Sequence, residues 1–295
     1  MTHANADGLP FQAIGIVGCG LLGCSIAAAL KSRRFPGSIV GCGRRGKNLD
    51  TALGRKLIDR AESDLAQAAA ACDLIVICTP VDRIVEDIRI VADRARLGTL
   101  ITDVGSVKRF VCEPAAELRA GITFIGSHPI AGSEKQGCAH ADSDLFEGRV
   151  CVLTPRSTSP REKVMTLSSF WQSLGMSVVE MSPDAHDRAL AQTSHVPHLV
   201  AAALAATLAS ENRSLTGGGF QDTTRIAAGD PQLWSAIFLA NAGEVTAGLR
   251  AVAAQLAELQ SAIEKGDKGR LEELLKVAKQ NRDGLGPAAK GAAAP

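Results

Sequence analysis

Residues 11–32, FQAIGIVGCGLLGCSIAAALKS, decide the fold of the first half of the chain. The apolar run that ends at Val17 predicts a buried strand, and the alanine-rich run after Gly23 predicts a helix. Between them, Gly18, Gly20 and Gly23 have the spacing GxGxxG. In this spacing the first glycine makes a tight turn, the second lets a pyrophosphate approach the backbone, and the third allows close helix–strand packing.

The start of that helix predicts a phosphate-binding site. The turn that contains Leu21 and Leu22 leads into the helix, whose N-terminus offers free N–H groups and a partial positive charge to an anion. The motif alone is weak, because glycine is common in this chain, but a strand before it and a helix after it support dinucleotide binding. A glycine-rich turn without a ligand is the alternative interpretation.

Short apolar runs alternate with helical stretches through the first half of the chain. Strands are predicted at Phe11–Val17, Ser38–Gly41, Leu74–Cys78, Thr99–Val104, Ile122–Ile125, Val150–Leu153 and Ser177–Met181, and helices at Ser25–Ser32, Asp82–Arg94 and Val107–Arg119. This alternation predicts right-handed βαβ units and an α/β fold with a doubly wound, Rossmann-type parallel sheet. We expect a dinucleotide-binding domain over residues 1–182.

From residue 183 onward the pattern becomes helical. Long alanine- and leucine-rich periodic stretches predict helices at Asp184–Ser210, Pro231–Lys265 and Asp267–Arg282, with Gly266 as a stop and Asp267 as an N-cap. Alanine-rich helices pack closely, so residues 183–286 are expected to form an all-helical substrate-binding and dimerisation domain. The low-complexity tail at residues 287–295 is expected to be disordered.

Composition narrows the class of protein. The 295 residues are 46% hydrophobic and 21% charged, with a net charge of +1, which suits a soluble globular protein and gives no support for a nucleic-acid or membrane partner. Eight cysteines without a CxxC pair predict buried thiols rather than disulfides or a zinc site. The N-terminus does not resemble a signal peptide and no apolar run is long enough to span a bilayer, so we expect a cytoplasmic protein.

The end of the second strand bears on the choice of dinucleotide. An acidic residue that binds the ribose 2′-hydroxyl is expected about 20 residues after the glycine motif. Residues 40–43 contain none, and Arg44 and Arg45 follow. A guanidinium can bind a 2′-phosphate, so NADP is favoured over NAD. A solvated loop is the alternative for these arginines.

Two candidate positions follow the carboxyl ends of predicted strands, where doubly wound folds bind ligands. Thr79 and Pro80 follow one strand and would flank the dinucleotide. Ser106 follows the next strand, either at the reaction centre or as the N-cap of a helix.

His128 is the candidate proton acceptor. It precedes Pro129, which disfavours a helical backbone and predicts that the ring projects from a strand end. Histidine titrates near neutrality, and oxidation of an alcohol by hydride transfer needs a group that takes the hydroxyl proton. A structure in which the ring is buried, or turned away from the dinucleotide groove, would contradict this role.

The second half contains two further candidate groups. His195 and His198 are three residues apart on a predicted helix, a spacing that also suits a metal, but no third ligand accompanies them, and no metal is expected. Pro197 predicts a local kink beside a pocket. Arg225 could be a surface residue, or be partly buried and paired with Asp222.

Four motifs that follow the glycine fingerprint in order, DVGSVK (103–108), GSHPIAGSEKQG (126–137), SHVPH (194–198) and DTTRIAAGDPQLW (222–234), give the chain a recognisable pattern. The chain resembles the prephenate/arogenate dehydrogenase family of tyrosine biosynthesis from about residue 13 to residue 282. The resemblance implies a dinucleotide-binding domain followed by a helical domain that forms a homodimer. It also implies oxidative decarboxylation of prephenate or arogenate with hydride transfer to NAD(P)+.

The resemblance also implies roles for individual residues. His128 takes the proton of the ring C4 hydroxyl, and Ser106 holds that hydroxyl and the histidine in register. The substrate-binding residues are Arg225, for the ring carboxylate, His198, for the side chain, Ser127 beside the histidine, and Glu134 near the site entrance.

Two other interpretations remain open at this point. A β-hydroxyacid dehydrogenase also joins a dinucleotide-binding domain to a helical one, but it uses a lysine as acid and base and leaves HPIAG and SHVPH unexplained. A non-catalytic NADP-binding sensor would keep the fold without the chemistry, and the presence of Ser106, His128 and Arg225 argues against it.

Overall fold

The computed structural model describes residues 5–43, 46–132 and 135–285. Six strands form the central sheet: β1 (Ala13–Val17), β2 (Ser38–Cys42), β3 (Arg60–Glu62), β4 (Leu74–Ile77), β5 (Leu100–Asp103) and β6 (Thr123–Phe124). All neighbours pair in parallel, in the order β3-β2-β1-β4-β5-β6. This is the strand order of a doubly wound dinucleotide-binding sheet, so the predicted fold class is confirmed.

Helices cover this sheet on both faces, as parallel connections require. They are α1 (Leu21–Ser32), α2 (Lys47–Gly54), α3 (Leu65–Ala71) and α4 (Val81–Arg94), followed by the short α5 (Arg109–Cys112). The helix predicted over residues 107–119 is therefore wrong in extent. Pro114 begins a separate 3-10 turn there, because proline cannot continue the hydrogen bonding of a helix.

A second, smaller sheet carries the strands that follow β6. It contains β7 (Gly126–Pro129), β8 (Val150–Thr154) and β9 (Ser177–Glu180), and α6 (Arg161–Ser173) connects the last two. β7 is antiparallel to β8, whereas β8 and β9 are parallel. The prediction of a single parallel sheet therefore missed this unit, and the strands at residues 150 and 177 belong to it rather than to the central sheet.

The remaining described chain is helical. It contains α7 (Pro183–Leu190), α8 (Val196–Ala206), α9 (Gly218–Thr224), α10 (Pro231–Ala240), α11 (Ala242–Glu264) and α12 (Lys268–Asp283). The side chain of Asp267 accepts a hydrogen bond from the backbone N–H of Arg270, so its predicted N-cap is confirmed.

Two of the long predicted helices are interrupted. Residues 191–195 between α7 and α8 form a π-helical turn, next to Pro197, which has no N–H to donate and whose ring crowds the carbonyl four residues earlier. The stretch from Pro231 to Lys265 breaks at Asn241, whose backbone leaves helical angles (φ −117°, ψ 31°). Its buried side chain donates to the carbonyl of Asp187, so a tertiary contact replaces helix continuity.

The helical half packs directly onto the nucleotide-binding half. Trp234 and Ile237 of α10 belong to the same apolar cluster as Ile84 and Ile88 of α4. Burying large apolar side chains contributes about 1.5–3 kcal/mol each, so this contact fixes the second half beside the edge of the sheet.

All eight cysteines are free, seven of them buried, which confirms the expectation of unpaired thiols. No helix among the described residues has both the length and the apolar character needed to cross a bilayer.

Candidate active site

The glycine turn after β1 forms an open cradle at the N-terminus of α1. Gly18 has φ +97°, and a Cβ there would lie 2.8 Å from the backbone of Cys78. A Cβ on Gly23 would lie 2.2 Å from the carbonyl oxygen of Gly18, so this position needs glycine for packing. In contrast, a Cβ on Gly20 would meet nothing within 4 Å, which leaves open space in front of the turn.

The helix that follows this turn has no side-chain cap and no acidic residue in its first turn. Its first N–H groups, including those of Leu21 and Leu22, are therefore available to an anion. These features fit the pyrophosphate of a dinucleotide. That ligand, when bound, would place its nicotinamide toward the residues that follow β4 and β5.

The ribose end of the cradle is described only in part. β2 ends at Cys42, and the N–H of Gly43 donates to the carbonyl of Glu62 on β3. Arg44 and Arg45, on which the NADP prediction rests, lie outside the described residues.

Three predicted site residues do follow β4 and β5 at this edge. The Thr79 hydroxyl donates to Asp87 Oδ2 (2.6 Å), and the exposed Pro80 precedes α4. Ser106 is half-buried, and its hydroxyl forms no hydrogen bond with the part of the chain that the structure describes. The N-cap alternative for Ser106 is wrong because α5 begins three residues later, at Arg109.

His128 lies within β7, where it pairs with Val152 of β8, rather than projecting from a strand end. Its side chain is only 2% exposed, so the expected accessible ring is wrong. The sequence pattern did not reveal β7, because Gly-Ser-His-Pro lacks the β-branched residues that mark strands. The ring is nevertheless surrounded by titratable groups and not by apolar side chains alone, as the effects of His186, Lys108 and His195 on its pKa show.

The hydroxyl of Ser127 forms hydrogen bonds within the protein. Its hydroxyl donates to the carbonyl of Asp103 (2.6 Å) and lies 2.8 Å from the hydroxyl of Thr102. Successive side chains of a strand point to opposite faces, so Ser127 faces β5 while His128 faces away from it. The residue is fully buried in this arrangement, and the substrate-binding role expected of it stays a prediction. Its contacts fix β7 against the central sheet.

A buried ion pair strengthens that connection. Lys108 Nζ donates to Asp103 Oδ2 and to the carbonyl of Ser127, and both charged side chains are fully buried. Asp103 in turn accepts from the N–H groups of Gly105 and Ser127. The loop after β5 is thereby bonded to the residue next to His128.

Two residues of α7 complete the surroundings of His128, and sequence reasoning missed both. His186 Nε2 lies 2.8 Å from His128 Nδ1, and His186 Nδ1 lies 2.8 Å from Asp187 Oδ1. Asp187 also accepts from the backbone N–H groups of Lys108 and Arg109. His186 showed no pattern because its contact with His128 spans 58 residues. The adjacent histidine and acid of HD at 186–187 were the available signal.

The π-helical turn and α10 bring more polar groups to the same region. His195 Nδ1 lies 3.2 Å from Asn241 Nδ2, which also donates to the carbonyl of Asp187. His198 stacks on Trp234 with ring centroids 3.7 Å apart. Three buried atoms, His195 Nε2, His198 Nδ1 and Asn241 Oδ1, have no hydrogen-bond partner among the described residues.

Such orphaned polar atoms are rare in folded proteins and indicate a place for a ligand or water. Burial lowers the pKa of His198 and lowers that of His195 to about 4, so both rings are neutral near pH 7. Neutral imidazoles offer one donor and one acceptor each to a bound polar molecule. Among the described residues, no group of three or more His, Cys, Asp or Glu side chains is arranged to hold a metal.

The remaining predicted substrate-binding residues are more peripheral or undescribed. Arg225 is exposed, in a 3-10 turn after α9, and forms no ion pair with Asp222 or with any other described residue. The alternative of a partly buried Asp222–Arg225 pair is therefore wrong. Glu134 lies outside the described residues.

A dinucleotide cradle and a buried cluster of neutral histidines in the same chain define the class of protein as a dinucleotide-dependent oxidoreductase. Comparison with known proteins then gives the family. Residues 26–180 match the family model "Prephenate dehydrogenase, nucleotide-binding domain", and residues 182–277 match "Prephenate dehydrogenase, dimerization domain".

Individual relatives agree with these matches. The chain is 35% identical to the prephenate dehydrogenase of Bacillus subtilis, over 94% of this chain and 77% of that protein. It is 31% identical to the cyclohexadienyl dehydrogenase of Zymomonas mobilis, over 92% of this chain and 95% of that protein.

Solved structures show the same similarity. One is prephenate dehydrogenase from A. aeolicus in complex with hydroxyphenyl propionate and NAD+, with TM-score 0.87 and 32% identity over 94% of this chain and 99% of that chain. Another is Synechocystis arogenate dehydrogenase, with TM-score 0.80 and 32% identity over 92% and 99%. The chain belongs to the prephenate dehydrogenase family, and the β-hydroxyacid dehydrogenase interpretation is not retained.

Proposed function

We propose that this protein oxidatively decarboxylates prephenate or arogenate with hydride transfer to NAD(P)+, as a step of tyrosine biosynthesis. The observation that supports this most is the cluster of buried histidines with unpartnered polar atoms, in a chain that also has an open glycine cradle at the N-terminus of α1. The names of the relatives, prephenate dehydrogenase and arogenate dehydrogenase, supply the substrate class.

In this proposal His128 is the general base. It takes the proton of the C4 hydroxyl while the hydrogen on C4 leaves as hydride and C4 becomes a carbonyl carbon. The C1 carboxylate departs as CO2, and the electron pair of its bond to C1 enters the ring, which becomes an aromatic phenolate. The phenolate oxygen then takes the proton back from His128, and the product is a phenol. The nicotinamide, when bound, supplies the hydride acceptor. Ser106, whose hydroxyl forms no hydrogen bond with the described residues, would hold the C4 hydroxyl in register with His128.

Burial of His128 is the outcome named above as contradicting its role at an accessible site, so the role is kept only with a revision of that site. We propose that substrate reaches the ring only when the groups that cover it move, and that closure then excludes water. Burial and neighbouring positive charge hold the pKa of His128 well below its ordinary value, so the ring is neutral before the reaction. A neutral ring is the form that accepts a proton.

Substrate binding is assigned to two residues of the helical half and to Glu134 of the nucleotide-binding half. His198 and Arg225 would contact the side chain and the ring carboxylate, respectively, and Glu134 would lie at the entrance. A planar guanidinium suits a carboxylate, and the exposed Arg225 is not neutralised by any described acid.

We favour NADP over NAD as the dinucleotide. Two features support this preference: β2 ends at Cys42 without a carboxylate that would repel a 2′-phosphate, and Arg44 and Arg45 follow in sequence. The general statement, that the protein uses NAD(P), does not depend on this choice.

We also propose a division into residues 1–182 and 183–286, with the second part forming a homodimer. α11 has 23 residues but only two buried ones, Val245 and Ala262. Large apolar side chains of the helical half remain exposed, among them Leu239, Leu256 and Ile263. Exposed apolar side chains on a helix with so few buried residues support an interface at this helix.

An ultraviolet assay of dinucleotide reduction with the four pairings of prephenate or arogenate with NAD+ or NADP+ tests the proposal. We expect turnover with at least one pairing. The His128→Asn variant should lose about 10²–10⁴-fold in kcat, the usual contribution of a general base, while its Kd for the dinucleotide stays the same. Activity near that of the parent in this variant, or no turnover with either substrate, would contradict the proposal.

A further inference from the structure

The proposed base and two further buried side chains form an uninterrupted series of hydrogen bonds. Asp187 Oδ1 is 2.8 Å from His186 Nδ1, and His186 Nε2 is 2.8 Å from His128 Nδ1. All three side chains are at most 2% exposed. Neither His186 nor Asp187 was assigned a role by the sequence motifs.

The direction of each hydrogen bond follows from the ionisation state of Asp187, the last of the three hydrogen-bonded residues. Burial acts to raise the pKa of Asp187, but hydrogen bonds from His186 and from the N–H groups of Lys108 and Arg109 outweigh it and hold that pKa below its ordinary value. Asp187 is therefore ionised near pH 7, and an ionised carboxylate only accepts hydrogen bonds. His186 Nδ1–H must be the donor to it.

The tautomer of the next ring is then determined. Burial lowers the pKa of His186, so the ring is neutral and carries one proton, which the bond to Asp187 places on Nδ1. His186 Nε2 is left as an acceptor, and only a proton on His128 Nδ1 can complete the bond between the two rings. A neutral His128 with its proton on Nδ1 has a free lone pair on Nε2.

We propose that His186 and Asp187 are positioning residues that hold His128 in the Nδ1–H tautomer, with Nε2 as its proton acceptor. The assignment of a task to that acceptor rests on the proposed function, whereas the tautomer itself does not.

The groups around the ring are consistent with this assignment. His128 contacts His186 of α7, and the charges of His186, Lys108 and His195 act on its pKa in addition to burial, while its backbone acts on the thiol of Cys151 of β8. The charge of Lys108 is paired with buried Asp103, and burial keeps the thiol of Cys151 protonated by raising its pKa. None of these groups places a competing carboxylate on His128, so among the described residues the anion connected to the ring acts through His186.

Asp187, which ends this series of hydrogen bonds, is held by contacts with both halves of the protein, and these contacts make the series rigid. Asp187 accepts from the N–H groups of Lys108 and Arg109 in the nucleotide-binding half, and Asn241 donates to its backbone carbonyl. His186 is thereby fixed relative to β7 rather than free to rotate away.

Nuclear magnetic resonance of 15N-histidine-labelled protein, without substrate at pH 7.5, tests the tautomer directly. The His128→Asn variant assigns the signals of His128 among the six histidines. We expect a protonated Nδ1 and an unprotonated Nε2. A proton on Nε2 of His128 would overturn the proposal, whether or not the protein turns over prephenate or arogenate.

Two variants of His186 separate positioning from general structural support. In His186→Gln the amide oxygen can occupy the place of Nε2 and still accept from His128, whereas in His186→Asn the shorter amide reaches Asp187 but not His128. We expect kcat to fall about tenfold or more in His186→Asn and by no more than about threefold in His186→Gln, with an unchanged dinucleotide Kd, since the loss concerns only the base.

Equal losses of kcat in the two variants would overturn the positioning role, because a merely structural residue does not distinguish the two amides. In His186→Asn the His128 signals should also show protonation of Nε2. If His186→Asn fails to fold, the tautomer of the parent protein and the activity of His186→Gln decide the question.

Discussion

At the scale of single residues, the buried Lys108–Asp103 pair is the contact that ties the reaction centre to the sheet. Both side chains are fully buried, and Lys108 also donates to the carbonyl of Ser127, next to the proposed base. A buried pair is not a large net source of stability, but removal of one partner leaves an uncompensated buried charge.

We expect Lys108→Met to lower the free energy of unfolding by about 3–5 kcal/mol, the usual cost of breaking a buried pair. Urea unfolding at pH 7.5 measures this. Lys268→Met is a matched control, because Lys268 pairs with Glu272 on an exposed face of α12. It should change stability by less than about 0.5 kcal/mol. Similar effects of the two substitutions would show that the Lys108 side chain is not both buried and ionised.

The residues of the site divide by how far their contacts lie along the chain. His128 and Ser106 could be predicted, because each stands in a short motif after a strand. His186, Asp187 and Asn241 could not be predicted, since their contacts join positions 46 to 79 residues apart. Burial of His128 was equally inaccessible to motif reasoning, because it depends on the packing of α7 against β7.

At the scale of secondary-structure elements, two glycines within the six-residue turn between β1 and α1 have different tasks, one in packing and one in ligand binding. Gly23 is confined by the backbone of Gly18, whereas Gly20 faces open space and has φ −81°, which any residue can adopt. Gly20 therefore matters for what approaches the turn, and Gly23 for how the helix packs on the strand.

We expect Gly20→Ala to fold with an unchanged Tm and to bind NAD(P)+ at least about tenfold more weakly, because the new methyl group lies where the pyrophosphate approaches the backbone. Gly54→Ala is the control. This position at the end of α2 also has open space and no positive φ, so neither affinity nor Tm should fall. Isothermal titration calorimetry gives the affinities. Unchanged affinity in Gly20→Ala would remove this turn from the dinucleotide site.

The elements that the sequence predicted well are those with strong periodicity. β1, β2, β4 and β5 are apolar and β-branched-rich, and they coincide with the predicted strands within two residues. β3, with sequence RAE, has no such pattern, and it forms because β2 offers it a parallel edge. The breaks around residues 191–195 and at Asn241 arise from tertiary contacts, which helical periodicity does not record.

At the scale of the whole molecule, the buried histidines make stability depend on pH. Burial lowers the pKa of His128, His186 and His195, the last to about 4. Each is near 6.5 in an unfolded chain. Below about pH 6.5 the unfolded state therefore binds protons that the folded state does not. Stability consequently decreases as the pH is lowered, until the folded-state pKa is reached.

We expect the free energy of unfolding to decrease between pH 7 and pH 5, by up to about 1.4 kcal/mol per pH unit for each buried histidine. Denaturant titrations across this range measure the proton uptake. His195→Gln should reduce the uptake by about one proton. A stability independent of pH in this window would show that these rings are protonated or exposed in the folded protein.

β7 belongs to the nucleotide-binding half and α7 opens the helical half, so the short contact between His128 and His186 joins the two. If the halves separated to admit a substrate, His128 would lose the partner that fixes its proton, and either ring nitrogen could then carry it. In the open molecule His128 would consequently be a mixture of two tautomers, and docking of the two halves would select the one that can accept a proton on Nε2. Proton abstraction would thus be confined to the period when solvent is shut out.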